Sequence, residues 1–572
     1  MRSGSVRGGR PTLFHVAAHV HPVGQACGLP QARLPRRRER TDSLPLHGRP
    51  LVSARFVSAS AARGGIAAAG HPAVAEVAAG VLREGGNAVD AAVAGLFASW
   101  ACEPLLTGPT GGGYLLVAGA GVRPTVLDGF CAAPGLGGEA ASADLVAADC
   151  DFGDTRQVFH VGAASVAAFG MAGMIEEASR RWGRLPLADL AEPGAKLASE
   201  GVPLNEIQAY VGRILEPILG MTAGVRELWM PGGDLLGTGD LFLAPGLADT
   251  ISRIGSEGAA PLRDGDLARA CVDLVAMQGG ALTLRDLAEH APIASDPLEV
   301  GYRGRTVLTT PPSSAGGTLL AVALHALAAD PGEHDSRAML AAMDLAQSVR
   351  TPAFARDLTS EGFAHGLLEA AGLGRDALEA LLARQPGSTT HLSVLDADGL
   401  ACAVTCSNGE CSGLVVPETG IHLNNVMGEE DLNPLGFGMF PPGRRMPSMM
   451  TPTAVLGPDG ELELALGSAG SNRIRSALLR TIVATVDQAL ALTEAVDAPR
   501  LHREGDTVYV EPGLATDGLL AIDSAQGPAK ELVEFREQNL FFGGVQAVGI
   551  DPRTGDHVAA GDPRRGGAVA SA

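Results

Sequence analysis

The stretch Ser388-Thr389-Thr390-His391-Leu392-Ser393-Val394-Leu395 does most to restrict what this chain can become. Its side chains alternate with period two, Asp396-Ala397-Asp398-Gly399 supplies a Gly-ended turn, and Leu400-Ala401-Cys402-Ala403-Val404-Thr405-Cys406 returns. That pattern predicts a β-hairpin. Just upstream, Gln385-Pro386-Gly387-Ser388 predicts an exposed turn. Thr389 therefore heads a strand directly after a segment suited to being cut.

Two readings of that position stand side by side. Thr389 and Thr390 fit a strand as ordinary β-branched residues. Thr389 gains chemistry only if the Ser388–Thr389 bond is cleaved. A threonine hydroxyl is a weak nucleophile and needs a base within hydrogen-bond reach. A freed α-amine has a pKa of about 7.7–8.0, so one residue would then supply both nucleophile and base.

Composition narrows the remaining choices. The chain has 572 residues, 46% hydrophobic and 19% charged, and a formal charge of −21. Such a surplus of acid argues against a nucleic-acid partner. No apolar run reaches the roughly 18 residues of a membrane span, so a membrane partner is not expected. Lysine occurs only at Lys196 and Lys530. The eight cysteines form no CxxC pair, and Cys402, Cys406 and Cys411 lack histidines at zinc spacing. They read as small buried residues in a reducing compartment, which predicts a cytoplasmic protein without metal or cofactor. Residues 1–62 are basic, with Arg36-Arg37-Arg38-Glu39-Arg40, and interrupted by Pro, Gly and Ser. They read as a disordered extension, with a cryptic export signal as the alternative.

Order is expected from Gly64 onward. Val74, Val77, Val81 and Leu82 recur at helical spacing, Gly85-Gly86 stops that helix, and Asn87 with Asp90 forms a capping-box pattern for an apolar helix through Trp100. Thr107-Gly108-Pro109-Thr110-Gly111-Gly112-Gly113 leads into strand-like Leu115–Ala118, which suits close backbone approach near a pocket rather than phosphate binding. Residues 155–300 read as mostly helical, Tyr302–Leu308 as one strand, 336–384 as more helix, and Ile474–Leu492 as one helix. The turn Gly467-Ser468-Ala469-Gly470-Ser471-Asn472-Arg473 places backbone N–H groups at a helix start, where they can face a developing oxyanion.

Gly-Gly-Asn-Ala-Val-Asp-Ala-Ala at 85–92, Pro-Pro-Ser-Ser at 311–314, Thr-Thr-His at 389–391, Ala-Pro-Arg at 498–500 and Asp-Pro-Arg at 562–564 occur in one order. Together they resemble the gamma-glutamyltransferase family (gamma-glutamyl transpeptidases) from about Gly64 to Arg564. The resemblance implies an α+β fold, the four-layer αββα sandwich of N-terminal nucleophile hydrolases. It implies a precursor that cuts itself between Ser388 and Thr389 into a large region, 63–388, and a small region, 389–572, which stay associated. Thr389 would form an acyl-enzyme with a small-molecule amide and pass it to water or an amine. Ser407 falls where the family has a threonine bonded to the nucleophile, and Gly470 and Ser471 match its oxyanion-hole glycine pair.

The substrate positions depart from the pattern. Phe130 stands where the family places an arginine for the substrate α-carboxylate, and a phenyl ring cannot make that ion pair. Val426 replaces a polar residue at the α-amino site, and Glu429 replaces an aspartate there. Met449 replaces the second of a serine pair, leaving Ser448, and Asn408 lies one position from the family's asparagine. Arg444, Arg445 and Arg473 are the candidates to take over from the missing arginine. Three functions follow as expectations: a gamma-glutamyltransferase-like hydrolase, an acylase for a less charged acyl group, or a non-catalytic binding relative.

Overall fold

The hairpin forms as expected. Thr390–Leu395 pairs antiparallel with Leu400–Ser407, and Gly399 adopts φ +86° at the turn. The computed structural model describes residues 57–61, 64–138, 141–151, 156–372, 389–522 and 527–572. The extension over 1–62 lies outside these except at 57–61, and Ser388 and the loop before it lie outside them too.

The hairpin sits inside a seven-stranded sheet ordered Ala568–Ser571, Ile66–Ala69, Thr390–Leu395, Leu400–Ser407, Gly112–Gly119, Thr125–Asp128, Ile293–Ser295. Ile66–Ala69, from before Thr389, thus lies between two strands from after it, Ala568–Ser571 and Thr390–Leu395. A second seven-stranded sheet runs Val57–Ala61, His557–Gly561, Gly544–Ile550, Leu462–Ala469, Thr453–Leu456, Arg305–Thr309, Leu298–Tyr302. The two pack face to face. His391 meets Gly467, and the Ser393 hydroxyl donates to the Gln546 carbonyl at 3.2 Å.

Helices cover both outer faces. Ala88–Cys102 lies under the Thr390–Ser407 hairpin, and all 15 of its residues are buried because helix Leu187–Glu200 closes its other side. Its start is fixed by the predicted capping box: the Asn87 side chain takes the Val89 and Asp90 N–H groups, and Asp90 takes the Asn87 N–H at 2.9 Å. Ala315–Ala328 and Arg473–Val486 cover the second sheet. The architecture is a four-layer αββα sandwich of the α+β class. Among the described residues, no helix is long and apolar enough to cross a membrane.

Two local expectations are corrected and two gain detail. The strand expected over 302–308 is a hairpin, Leu298–Tyr302 with Arg305–Thr309, turned by Arg303 and Gly304 at φ +51° and +76°. The region 155–300 is mostly helical as expected, but it begins with strand Arg156–Val161, which pairs with Val146–Asp151. The helix expected over 474–492 ends at Val486, because Ala489 turns to φ +50° before Leu492–Asp497 begins. The further helix expected over 336–384 takes the form of Ser336–Ser348, Pro352–Asp357 and Phe363–Gly372, and residues 373–384 lie outside the described residues.

Candidate active site

Side-chain alternation assigns each hairpin residue to a face. Leu392 lies against Gly95 of the underlying helix, and the Thr390 hydroxyl donates to Glu103 Oε1 at 2.9 Å on the same side. His391 and Ser393 face the second sheet, and by the same period so does Thr389. Thr390 is registered with Cys406, so one step outward brings Thr389 opposite Ser407. Both are buried, each 4% exposed. The Ser407 hydroxyl accepts the Gly409 N–H at 2.9 Å.

His391 is not the base this site needs. Its Nδ1 bonds Thr405 Oγ1 and its Nε2 bonds Ser393 Oγ, both at 2.8 Å. Since Ser393 donates onward to Gln546, Nε2 carries the proton and Nδ1 accepts from Thr405. Burial pushes the imidazole down to about 3, so it stays neutral.

The glycine loop works by close approach, as predicted. Gly112 is registered with Ser407, and a Cβ there would fall 2.8 Å from Phe130 Cα. Phe130 thus lies one strand beyond Ser407. It is 1% exposed and stacks on Tyr114, ring centroids 5.9 Å apart. Its N–H donates to Asp128 Oδ1 at 2.8 Å, while Asp128 Oδ2 accepts from Ser313, whose hydroxyl also bonds the Tyr114 hydroxyl at 2.7 Å.

None of the three candidate arginines occupies the place of the Phe130 ring. Arg445 comes nearest: it donates to the Phe130 and Ala291 carbonyls and lies 3.5 Å from Asp128 Oδ1. Arg444 donates to the Ala355 and Arg356 carbonyls and stacks over Phe440. Arg473 lies 4.3 Å over the Phe541 ring. A cavity of about 560 Å³, lined in part by Asp128, Ser313, Arg444 and Arg445, opens beside Asp128.

The strand Leu462–Ala469 runs into Gly470 and Ser471, at φ +120° and +61°, and helix Arg473–Val486 follows. A Cβ on Gly470 would lie 2.7 Å from Gly543 Cα, so only glycine fits. The Ser471 hydroxyl donates to Asp431 Oδ2 at 2.8 Å. Thr389 is two residues from His391 and Gly470 three from Gly467, so both lie close to the His391–Gly467 contact between the sheets.

The remaining predicted positions divide. Glu429 is 3% exposed and reaches Gly409, where a Cβ would come within 2.6 Å of its Oε1 and also strike Asn425 Oδ1. Gly409, two residues after Ser407, is thus flanked by the segment carrying Glu429. Val426 is fully buried. The amide of Asn408 is turned elsewhere: its Nδ2 donates to the His422 carbonyl at 2.8 Å and to Cys411 Sγ. Ser448 accepts the Met450 N–H at 3.1 Å and bridges to Ser314, and Met449 is buried against Gly316.

Sequence reasoning did not single out Glu103, Glu410, Asn425 or Asp431. Glu103 is fully buried, and burial pushes its carboxyl up to about 7. An acid directly after the largely apolar run Ala91–Cys102 was the available signal. Glu410 is fully buried, and its Oε2 lies 3.4 Å from Asn425 Nδ2. Among the described residues, no group of three His, Cys, Asp or Glu side chains is placed to hold a metal ion.

The chain is similar to several known proteins. The "Glutathione hydrolase proenzyme" of Bacillus subtilis (strain 168) is 27% identical over 575 residues, covering 92% of this chain and 95% of its own length. The "Acylase ACY 1 proenzyme" of Pseudomonas sp. (strain V22) is 31% identical over 477 residues, covering 79% and 84%. The structure of cephalosporin acylase from Bacillus halodurans shares the fold, with a TM-score of 0.74 at 24% identity, covering 93% of this chain and 99% of that one. Residues 74–572 match the profile of gamma-glutamyltranspeptidase, and the chain belongs to that family.

Proposed function

We propose that this protein cuts itself before Thr389 and then hydrolyses or transfers the acyl group of a small amide. In the first step the Thr389 hydroxyl attacks the Ser388 carbonyl, the C–N bond breaks to leave an ester and a free, protonated α-amine on Thr389, and water then hydrolyses the ester to release the Ser388 carboxylate and restore the hydroxyl. In turnover that amine takes the hydroxyl proton as Oγ1 attacks the substrate carbonyl. The N–H groups at Gly470 and Ser471 hold the oxyanion. The substrate amine leaves with the proton, and water or a second amine takes the acyl group from Thr389.

The observation that carries this reading is the position of Thr389, at the head of a buried hairpin and opposite Ser407. Residues 63–388 and 389–572 would be the large and small fragments. Intact mass and N-terminal sequencing test it. The expected result is a smaller fragment beginning at Thr389, absent from Thr389→Ala. A single uncut chain overturns the reading and favours a binding protein.

A second observation favours an acylase for a less charged acyl group. Phe130 is packed on Tyr114, and the nearest guanidinium, that of Arg445, is engaged by the Phe130 and Ala291 carbonyls. A substrate α-carboxylate would have no ready partner there. Efficient, Thr389-dependent turnover of glutathione overturns this second reading and leaves the first intact.

A further inference from the structure

Where the family resemblance places a second glycine at the oxyanion turn, this chain has Ser471. Its φ of +61° lies in the left-handed region, which a residue with a side chain occupies only against a steric penalty. Something must hold it there. Ser471 is 5% exposed, and its hydroxyl is fixed to Asp431 Oδ2 at 2.8 Å. The other carboxylate oxygen, Oδ1, lies 3.4 Å from the side-chain amide of Asn472, the next residue of the turn. Arg350 locks the arrangement from outside. It donates to the Asp431 carbonyl at 2.7 Å and to Asn472 Oδ1 at 3.1 Å, with its guanidinium 3.6 Å from Asp431 Oδ1.

We propose that Asp431 is the positioning residue of the oxyanion turn, holding Ser471 in the conformation that presents the Gly470 and Ser471 N–H groups to the acyl carbonyl. The inference rests on the proposed role of those N–H groups. Asp431 touches no substrate and acts through Ser471. Because it follows Glu429 by two residues, it also ties the segment flanking Gly409 to the turn. Charged groups reach it from three elements: Arg350 beyond helix Ser336–Ser348, Arg473 from helix Arg473–Val486 and Glu504 from strand Leu501–Glu504. Burial pushes the carboxyl up to about 6 against the pull of Arg350, so at neutral pH it is ionised and accepts from Ser471. A glycine at 471 would adopt the same backbone without an anchor. A serine needs one.

That difference supplies the test, a cycle of Asp431→Ala and Ser471→Gly. Two rates are read: self-cleavage of pulse-labelled chain from cell-free translation, and steady-state release of p-nitroaniline from γ-glutamyl and glutaryl p-nitroanilides. Asp431→Ala is expected to slow self-cleavage and kcat at least tenfold while KM moves less than threefold. Asp431→Asn, which keeps an acceptor oxygen, is expected to recover most of the loss. In the Ser471→Gly background, Asp431→Ala is expected to cost less than threefold.

A full tenfold loss that persists in the Ser471→Gly background overturns the proposal, because Asp431 would then act through the fold and not through Ser471. Unchanged rates in Asp431→Ala overturn it equally. A wild-type chain that neither cuts itself nor turns over either anilide refutes the underlying catalytic reading, and the proposal with it. That outcome is separable from the others because Asp431 plays no part in it.

Discussion

Thr390 and Glu103 share a buried hydrogen bond of 2.9 Å on the face of the hairpin turned away from Thr389. Burial raises the Glu103 carboxyl from 4.5 to about 7, partly opposed by the Thr390 hydroxyl. The folded chain therefore binds this proton more tightly than the unfolded one. Its stabilising effect is complete below pH 4.5 and is lost as pH rises through about 7. Glu103→Gln removes the titration while keeping an acceptor for Thr390. Its stability relative to wild type is expected to rise between pH 4.5 and 8, by on the order of 3 kcal/mol. Urea denaturation of both proteins across that range measures it.

Gly467→Ala is expected to destabilise the protein by about 1–3 kcal/mol, because the new methyl runs into the His391 ring at the contact between the sheets. Thermal unfolding of the variant checks this. An unchanged melting temperature would mean that the two sheets slide apart without cost.

Ser407→Ala removes a hydroxyl that accepts the Gly409 N–H and lies across from Thr389. Self-cleavage and turnover are expected to slow about 10- to 100-fold, equivalent to roughly 1.4–2.8 kcal/mol of transition-state stabilisation. Ser407→Thr keeps the hydroxyl and should stay within a few-fold of wild type. Parallel losses in both variants would assign Ser407 to packing.

Phe130→Arg places a guanidinium where a ring is 1% exposed, beside Arg445. The variant alone is expected to be less stable than wild type, since a buried cation lacks a counterion. A ligand carrying an α-carboxylate supplies one. Glutathione is therefore expected to raise its melting temperature more than that of wild type, and kcat/KM for γ-glutamyl p-nitroanilide should rise at least tenfold. A fall in both would show that Phe130 marks no carboxylate site.

What could be read from sequence was local. Asn87 and Asp90 announce a helix start because capping acts within one turn, and Asp396 to Gly399 announces a hairpin because the turn residues are adjacent. The Leu298–Thr309 hairpin was hidden because its first turn residue, Arg303, is not a type that usually adopts positive φ. At the site, Thr389 and the turn at 470–471 stood out from their setting, and Ser407 only through the family resemblance. Glu103 and Asp431 did not, because their partners lie 287 and 40 residues away and burial, which gives each its character, is a property of the folded chain.

The order of strands in the sheet that holds the Thr390–Ser407 hairpin would constrain the protein after a cut before Thr389. Ala568–Ser571, Thr390–Leu395 and Leu400–Ser407 follow Thr389 in the chain and the other four strands precede it; Ile66–Ala69 is inserted between Ala568–Ser571 and Thr390–Leu395, and Leu400–Ser407 pairs along its length with Gly112–Gly119. Neither piece can leave without unzipping the ladder that buries both. A cleaved molecule would thus keep the partner it was born with. Mixing two differently tagged cleaved preparations should yield no hybrids, and assembly of the two pieces from separate genes would require them to fold together from the outset.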